Sequence, residues 1–316
     1  MSKKIISIVG ATGTQGGSVV DALLNSDTYT IRAITRNPAS EAAQSLAAKG
    51  VEVVQADADN ISSLATAFEG SHAIYAVSDF VEPFAKGGPE HAMEVEARRG
   101  INLAKAASAI STLEHYIWST LPNSKKISGN RIVVPHFESK NQVDEYIQSE
   151  AKLLAKTTFV VLGFYAENLV FFPMLTPIRV PGSDQYIQLH STASNTSLLA
   201  LGAARTNVGL FVSAILAQPE KTLPGQWVYA YTDKITLDEM LQAWSVAQGN
   251  TAHYVQVEKE LYYALWPSWG EENSIMMEFF AWAGDKYWPG EGILTKDDLD
   301  VKGLVDVKDA YVSPSL

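Results

Sequence analysis

Hydrophobic positions in the first half of the chain alternate between two rhythms. Short, nearly continuous β-branched runs occupy residues 5–9, 30–35, 51–55, 73–77, 115–119 and 158–162. Between them, residues 17–25, 39–49, 61–69, 91–109 and 137–155 carry apolar side chains at helical spacing. Strands alternating with helix-length segments predict right-handed crossovers and a parallel, doubly wound sheet. Strands apolar at almost every position fit a sheet covered on both faces.

The alternation breaks after Gly163. Pro173, Pro177, Pro181 and Gly182 punctuate an irregular stretch before a β-like run at 186–189. The apolar runs 198–204 and 210–217 suit buried helices, a helix-period segment 207–216 stops before Pro219, and 226–231 has strand character. Thr236 followed by Glu239 is a capping-box signature for a helix start. The aromatic residues Tyr262, Tyr263, Trp266, Trp269, Phe279, Phe280, Trp282, Tyr287 and Trp288 then crowd together, either as the core of a lobe or as the wall of a pocket. The mixed charges of 297–309 read as a solvated surface. The expected architecture is α/β: a doubly wound parallel sheet (Rossmann) over residues 1–162, with 207–231 returning to it, and a smaller α+β C-terminal lobe over 163–316.

Composition narrows the chemistry. At 47% hydrophobic, the 316 residues fill a sizeable core. The absence of cysteine excludes disulfides, thiolate metal sites and cysteine nucleophiles, and no metal site is expected. A net charge of -11 disfavours nucleic acid and anionic membranes. No apolar run reaches the roughly 18–20 residues of a membrane span, and residues 1–9 lack the pattern of a secretory signal. A cytoplasmic location is expected, with the nucleus open.

The sharpest motif, Gly10-Ala11-Thr12-Gly13-Thr14-Gln15-Gly16-Gly17, joins the first strand to the first helix. In that position it fits a dinucleotide loop. Gly10 and Gly13 allow the tight turn, Gly16 allows close packing, and Thr12, Thr14 and Gln15 flank the helix N-terminus that faces phosphate. The second strand ends in Arg36-Asn37, without the acid that would accept a ribose 2′-hydroxyl. A guanidinium there favours a 2′-phosphate, hence NADP(H). The carboxyl ends of the third and fourth strands nominate Asp57 and Ala58 for the adenine, and Ser78, Asp79 and Phe80 for the ribose.

Ser119 ends the fifth strand, and His136 and Lys140 stand four apart at the start of the next helix. Short-chain dehydrogenases place a Ser and a Tyr-x-x-x-Lys pair in this region; here the tyrosine position holds His136. A histidine can deliver a proton near neutrality, or it can be the residue of a lost active site.

The chain resembles the NmrA-like branch of the atypical short-chain dehydrogenases, most closely its NADPH-sensing members, and more distantly isoflavone-reductase-like enzymes. Residues 10–17 (GATGTQGG), 35–38 (TRNP), 53–59 (VVQADAD), 136–146 (HFESKNQVDEY) and 163–169 (GFYAENL) carry the likeness. It implies that Lys140 binds the nicotinamide ribose and that Tyr165, Ala166, Glu167 and Asn168 line the nicotinamide end. It also implies that Arg98, in the helix after the fourth strand, is the family's basic residue, although the loop 84–90 is longer here. Two functions follow from the likeness. One is an NADPH-dependent reductase of a carbonyl, imine or conjugated double bond in a small apolar metabolite, with His136 or Tyr165 as proton donor. The other is a non-catalytic NADP(H) sensor that engages a protein partner through the C-terminal lobe.

Overall fold

The computed structural model describes residues 3–287 and 291–312; Trp288 lies outside them. The first half supplies β1 (Lys4–Val9), β2 (Tyr29–Thr35), β3 (Glu52–Gln55), β4 (Ser71–Ala76), β5 (His115–Thr120) and β6 (Thr157–Leu162). Between these run α1 (Thr14–Leu23), α2 (Glu41–Ala48), α3 (Ile61–Phe68), α4 (Val81–Ser108) and α5 (Pro135–Ser149). The strands pair in parallel in the order β6-β5-β4-β1-β2-β3. Every residue of β5 and β6 is buried, as expected for strands covered on both faces. From β1 the chain winds to β2 and β3 on one side, then crosses to β4 on the other. The crevice at the carboxyl ends of β1 and β4 is therefore the topological switch point, where a doubly wound sheet binds ligands.

The second half contributes β7 (Phe164–Tyr165), β8 (Ile178–Arg179), β9 (Gln185–His190), β10 (Ser197–Gly202), α6 (Ala204–Ala217), β11 (Gln226–Ala230), β12 (Asp233–Thr236), α7 (Leu237–Ala247), β13 (Thr251–Gln256), α8 (Trp269–Ala283), β14 (Ile293–Leu294) and α9 (Val307–Val312). β11 pairs with β6 and β14 with β11, both in parallel, giving an eight-stranded sheet. α6 packs on α1: the Gly209 amide donates to Ser18 Oγ at 2.8 Å, and a Cβ on Gly209 would lie 2.2 Å from the Ser18 carbonyl oxygen. Two three-stranded sheets, β12-β10-β7 and β13-β9-β8, build the lobe with α8. Thr236 and Glu239 cap α7 as a complete capping box.

Three expectations are corrected. The apolar run 198–204 is not a helix: residues 198–202 lie in β10, buried between β12 and β7, and only Ala204 enters α6; a short continuous apolar run has the same appearance in either element. Residues 84–90 are no loop; α4 begins at Val81 and kinks at Gly88, whose φ of +76° is followed by Pro89. The segment 297–309 is not merely solvated. Leu299 and Val307 are buried, and Asn207 ties the backbone of Val305 through both its N–H and its carbonyl oxygen.

Candidate active site

The glycine loop shapes a groove of about 620 Å³ at the switch point. Gly10 takes a left-handed φ of +67°, and the Gly13 amide closes the turn on the Gly10 carbonyl at 2.9 Å. A Cβ on Gly16 would sit 2.3 Å from that same carbonyl oxygen, so the helix meets the turn only through glycine. Gly13 caps α1 without a side chain, and no acid occupies the first turn. The initial N–H groups of α1 thus remain available to an anion.

Thr12, Thr14, Arg36, Asn37, Asp57, Ala58, Ser78 and Asp79 line this groove with Gly10, Gly13, Gln15 and Gly16. Arg36 Nη1 donates to Glu82 Oε2 at 2.6 Å. Lys86, then Arg36, hold the Glu82 carboxyl down to about 2. The basic residue of α4 that faces the groove is Arg99, not Arg98. Arg99 lines it between Asp59 and Glu82, whereas Arg98 binds Asp59 with half its side chain exposed. One position along a helix turns a side chain by about 100°, so a shifted alignment selects the neighbouring arginine.

Where the groove meets the end of β5, Gln15 gathers three hydroxyls. Tyr75 Oη and Ser119 Oγ donate to its Oε1 at 2.8 and 2.7 Å, and its Nε2 donates to Tyr165 Oη at 2.8 Å. Burial raises the pKa of both tyrosines. Gln15 and Tyr165 line the groove and also a second cavity, of about 270 Å³, between the carboxyl end of the sheet and the lobe, called the lobe cavity below. That cavity is walled by aromatic and aliphatic side chains, among them Phe80, Phe164, Phe172, Trp269, Met276 and Phe280. Phe80, expected along the ribose, is a wall of this cavity instead. Of the C-terminal aromatics, Trp269 and Phe280 line it, while Tyr262 and Phe279 are wholly buried in the lobe.

His136 and Lys140 both face the cavity, each tied to an acid that sequence reasoning overlooked. Glu272 Oε1, from α8, accepts from His136 Nδ1 and, at 3.2 Å, from the His136 amide. Lys140 Nζ lies 2.9 Å from Glu96 Oε1 and donates to the Ser78 carbonyl and Oγ. Glu96 also accepts from Ser78 Oγ and Ser139 Oγ. Beneath Ser119, Trp118 and Thr120 donate to Asp144, whose carboxyl burial pushes up to about 7. Asn168 lines the cavity, but Ala166 and Glu167 line neither space. The Ala166 amide bonds Gly202, and Glu167 accepts from the Arg205 amide. Among the described residues no group of His, Asp and Glu is arranged to hold a metal ion, and no helix is long and apolar enough to cross a membrane.

The arrangement offers an anion cradle joined to an apolar chamber, with a histidine–carboxylate pair in the chamber. Among curated proteins, the NmrA-like family domain-containing oxidoreductase cpsB of Aspergillus campestris is 28% identical over 267 residues, 82% of this chain and 77% of its own. The crystal structure of NmrA, a negative transcriptional regulator, in complex with NADP has the same fold, with a TM-score of 0.76 at 21% identity over 99% of this chain and 96% of that one. The triphenylmethane reductase of Citrobacter sp., solved with NADP(H), gives 0.68 at 19% identity over 99% and 100%. The model of the NmrA-like family matches residues 2–308, and the chain belongs to that family.

Proposed function

We propose that this chain is an NADPH-dependent reductase whose substrate lies in the lobe cavity. The observation that carries the reading is the junction at Gln15 and Tyr165, where a dinucleotide-shaped groove opens on an apolar chamber holding His136 and Glu272. The groove fits the cofactor: Gly16, which admits no Cβ, a left-handed Gly10, uncapped N–H groups, and the guanidinium of Arg36 at its far end. Bound NADPH supplies a hydride to a carbonyl, imine or conjugated double bond. Gln15 fixes the Tyr165 and Ser119 hydroxyls beside the reacting bond. Glu272 holds His136 through Nδ1 and leaves Nε2 as the nitrogen that exchanges a proton with substrate.

Loss of NADPH absorbance across a ketone, enone and imine panel tests the proposal. His136→Ala and Tyr165→Phe are expected to lower turnover by about 100-fold where the residue is the proton donor. Intact turnover in both variants removes the assignment.

A second reading has its own observation. Lys140 already spends its donors on Glu96 and Ser78, and Phe171 is 63% exposed on the lobe with Val170 beside it. Both suit a redox sensor that binds a protein partner. A tight NADPH complex without turnover on any of the panel favours the sensor.

A further inference from the structure

The lobe cavity has two unused acceptors on consecutive residues of α8. Glu272 and Asn273 both line it, at 4% and 5% exposure. Both hydrogen bonds to the Glu272 side chain fall on Oε1, so Oε2 has no donor among the described residues. The amide orientation of Asn273 is set by a chain of bonds. Tyr262 Oη donates its only proton to the Met174 carbonyl at 3.0 Å, so it can only accept from Asn273 Nδ2, at 2.8 Å. That leaves Asn273 Oδ1, which is buried without a partner. A buried acceptor left unpaired is destabilising, and a ligand donor removes that cost.

Around these acceptors stand the rings of Phe80, Phe172, Trp269 and Phe280, whose faces attract cations. Among the described residues the one ammonium lining the cavity, Lys140, is paired with Glu96, so Glu272 is met by the imidazole of His136 and by no ammonium. Acceptors, aromatic faces and a carboxyl whose one ring partner is an imidazole all select the same kind of molecule.

We propose that the cavity recognises an apolar molecule carrying a protonated or N–H-bearing nitrogen, held by Glu272 Oε2 and Asn273 Oδ1, and that it rejects carboxylates. This rests on the reading of the cavity as the substrate chamber and narrows it to nitrogenous substrates. It is a statement about recognition, so it fails separately from the claim of turnover.

Three probes of one shape test it by calorimetric titration: 3-phenylpropylamine, 3-phenylpropan-1-ol and 3-phenylpropionate. Each is added to the full chain saturated with NADPH. The amine is expected to bind about tenfold or more tightly than the alcohol, and the carboxylate weakest of all. Glu272→Gln is expected to erase most of the amine-over-alcohol preference, and Asn273→Leu to weaken both donors severalfold. NADPH titration of each variant reports whether the groove and fold are intact. Should Glu272→Gln not fold, Asn273→Leu and the wild-type ranking carry the test. Equal or tighter binding of the carboxylate, or an amine preference unchanged in folded Glu272→Gln, overturns the proposal. Failure of NADPH to bind the wild-type chain instead overturns the reductase reading, with the ranking of probes still measured on the free protein.

Discussion

The ammonium of Lys140 lies 2.9 Å from Glu96 Oε1, and the two side chains are 8% and 0% exposed. An ion pair removed from water this completely has little net stability to give, but each partner depends on the other to offset its desolvation. Substituting Glu96 by Leu strands the lysine and is expected to cost about 3–5 kcal/mol, read from urea unfolding. The double substitution Glu96→Leu with Lys140→Met is expected to recover much of that loss. Additive costs in the double-mutant cycle contradict the pairing.

Arg36 is engaged by Glu82 at 2.6 Å, at the end of the groove where a 2′-phosphate is expected. A phosphate there competes with the carboxylate for the guanidinium. Glu82→Gln therefore frees Arg36 and is expected to tighten NADPH by up to about fivefold, the range of an exposed ion pair. Arg36→Asp is expected to weaken NADPH by about 10–100-fold while changing NADH far less. Fluorescence titration with both cofactors gives the ratios. An unchanged NADPH/NADH ratio in both variants removes Arg36 from the phosphate site.

The two inner glycines of the loop are expected to respond differently to alanine. A Cβ on Gly16 meets the Gly10 carbonyl at 2.3 Å, whereas on Gly13 the nearest atom is at 3.4 Å. Gly16→Ala has to push the turn off the helix and is expected to destabilise by about 1–3 kcal/mol. Gly13→Ala is expected to keep its stability within about 1 kcal/mol and to lose NADPH affinity, because the added methyl occupies the path of the pyrophosphate. Thermal melts with and without NADPH separate the two outcomes.

The sheet was legible because its strands are apolar on both faces and its loops carry glycine at the right junction; β1 to β6 come from local pattern alone. The lobe was not. β10 reads as helix because the short apolar run 198–204 has no period to betray it, and β14 has only two residues. The acids Glu96 and Glu272 did leave a trace. Glu96 interrupts the buried stripe Ala92, Gly100, Leu103 of α4, and Glu272 the stripe Met276, Phe279, Ala283 of α8. A carboxylate at an apolar position of a helix implies a buried partner. That the partners are Lys140 and His136 is a tertiary fact, since each pair joins elements far apart in the chain. Arg99 was hidden for the same reason, as only the packing of α4 decides which of two adjacent arginines faces the groove.

His190 supplies the clearest pH dependence. Its ring is 1% exposed, stacks on Tyr254 at 5.2 Å, and neither ring nitrogen has a partner among the described residues. Burial pulls it down to about 4, from an ordinary value of 6.5. A base with a depressed folded value takes up protons preferentially when unfolded, so stability is retained above pH 6.5 and falls as pH drops from 6.5 towards 4. His115, also lowered to about 4, acts in the same direction, while Asp144, raised to about 7, opposes both across this whole window. The contribution of His190 is therefore isolated by difference. His190→Phe keeps the stacking and removes the proton. It is expected to match the wild type within about 1 kcal/mol at pH 7.5 and to exceed it by about 2 kcal/mol more at pH 4.5. Guanidinium unfolding at the two pH values measures both terms. A stability difference that does not grow on acidification means that His190 gains a proton without leaving the fold, and that the lobe opens to water around it.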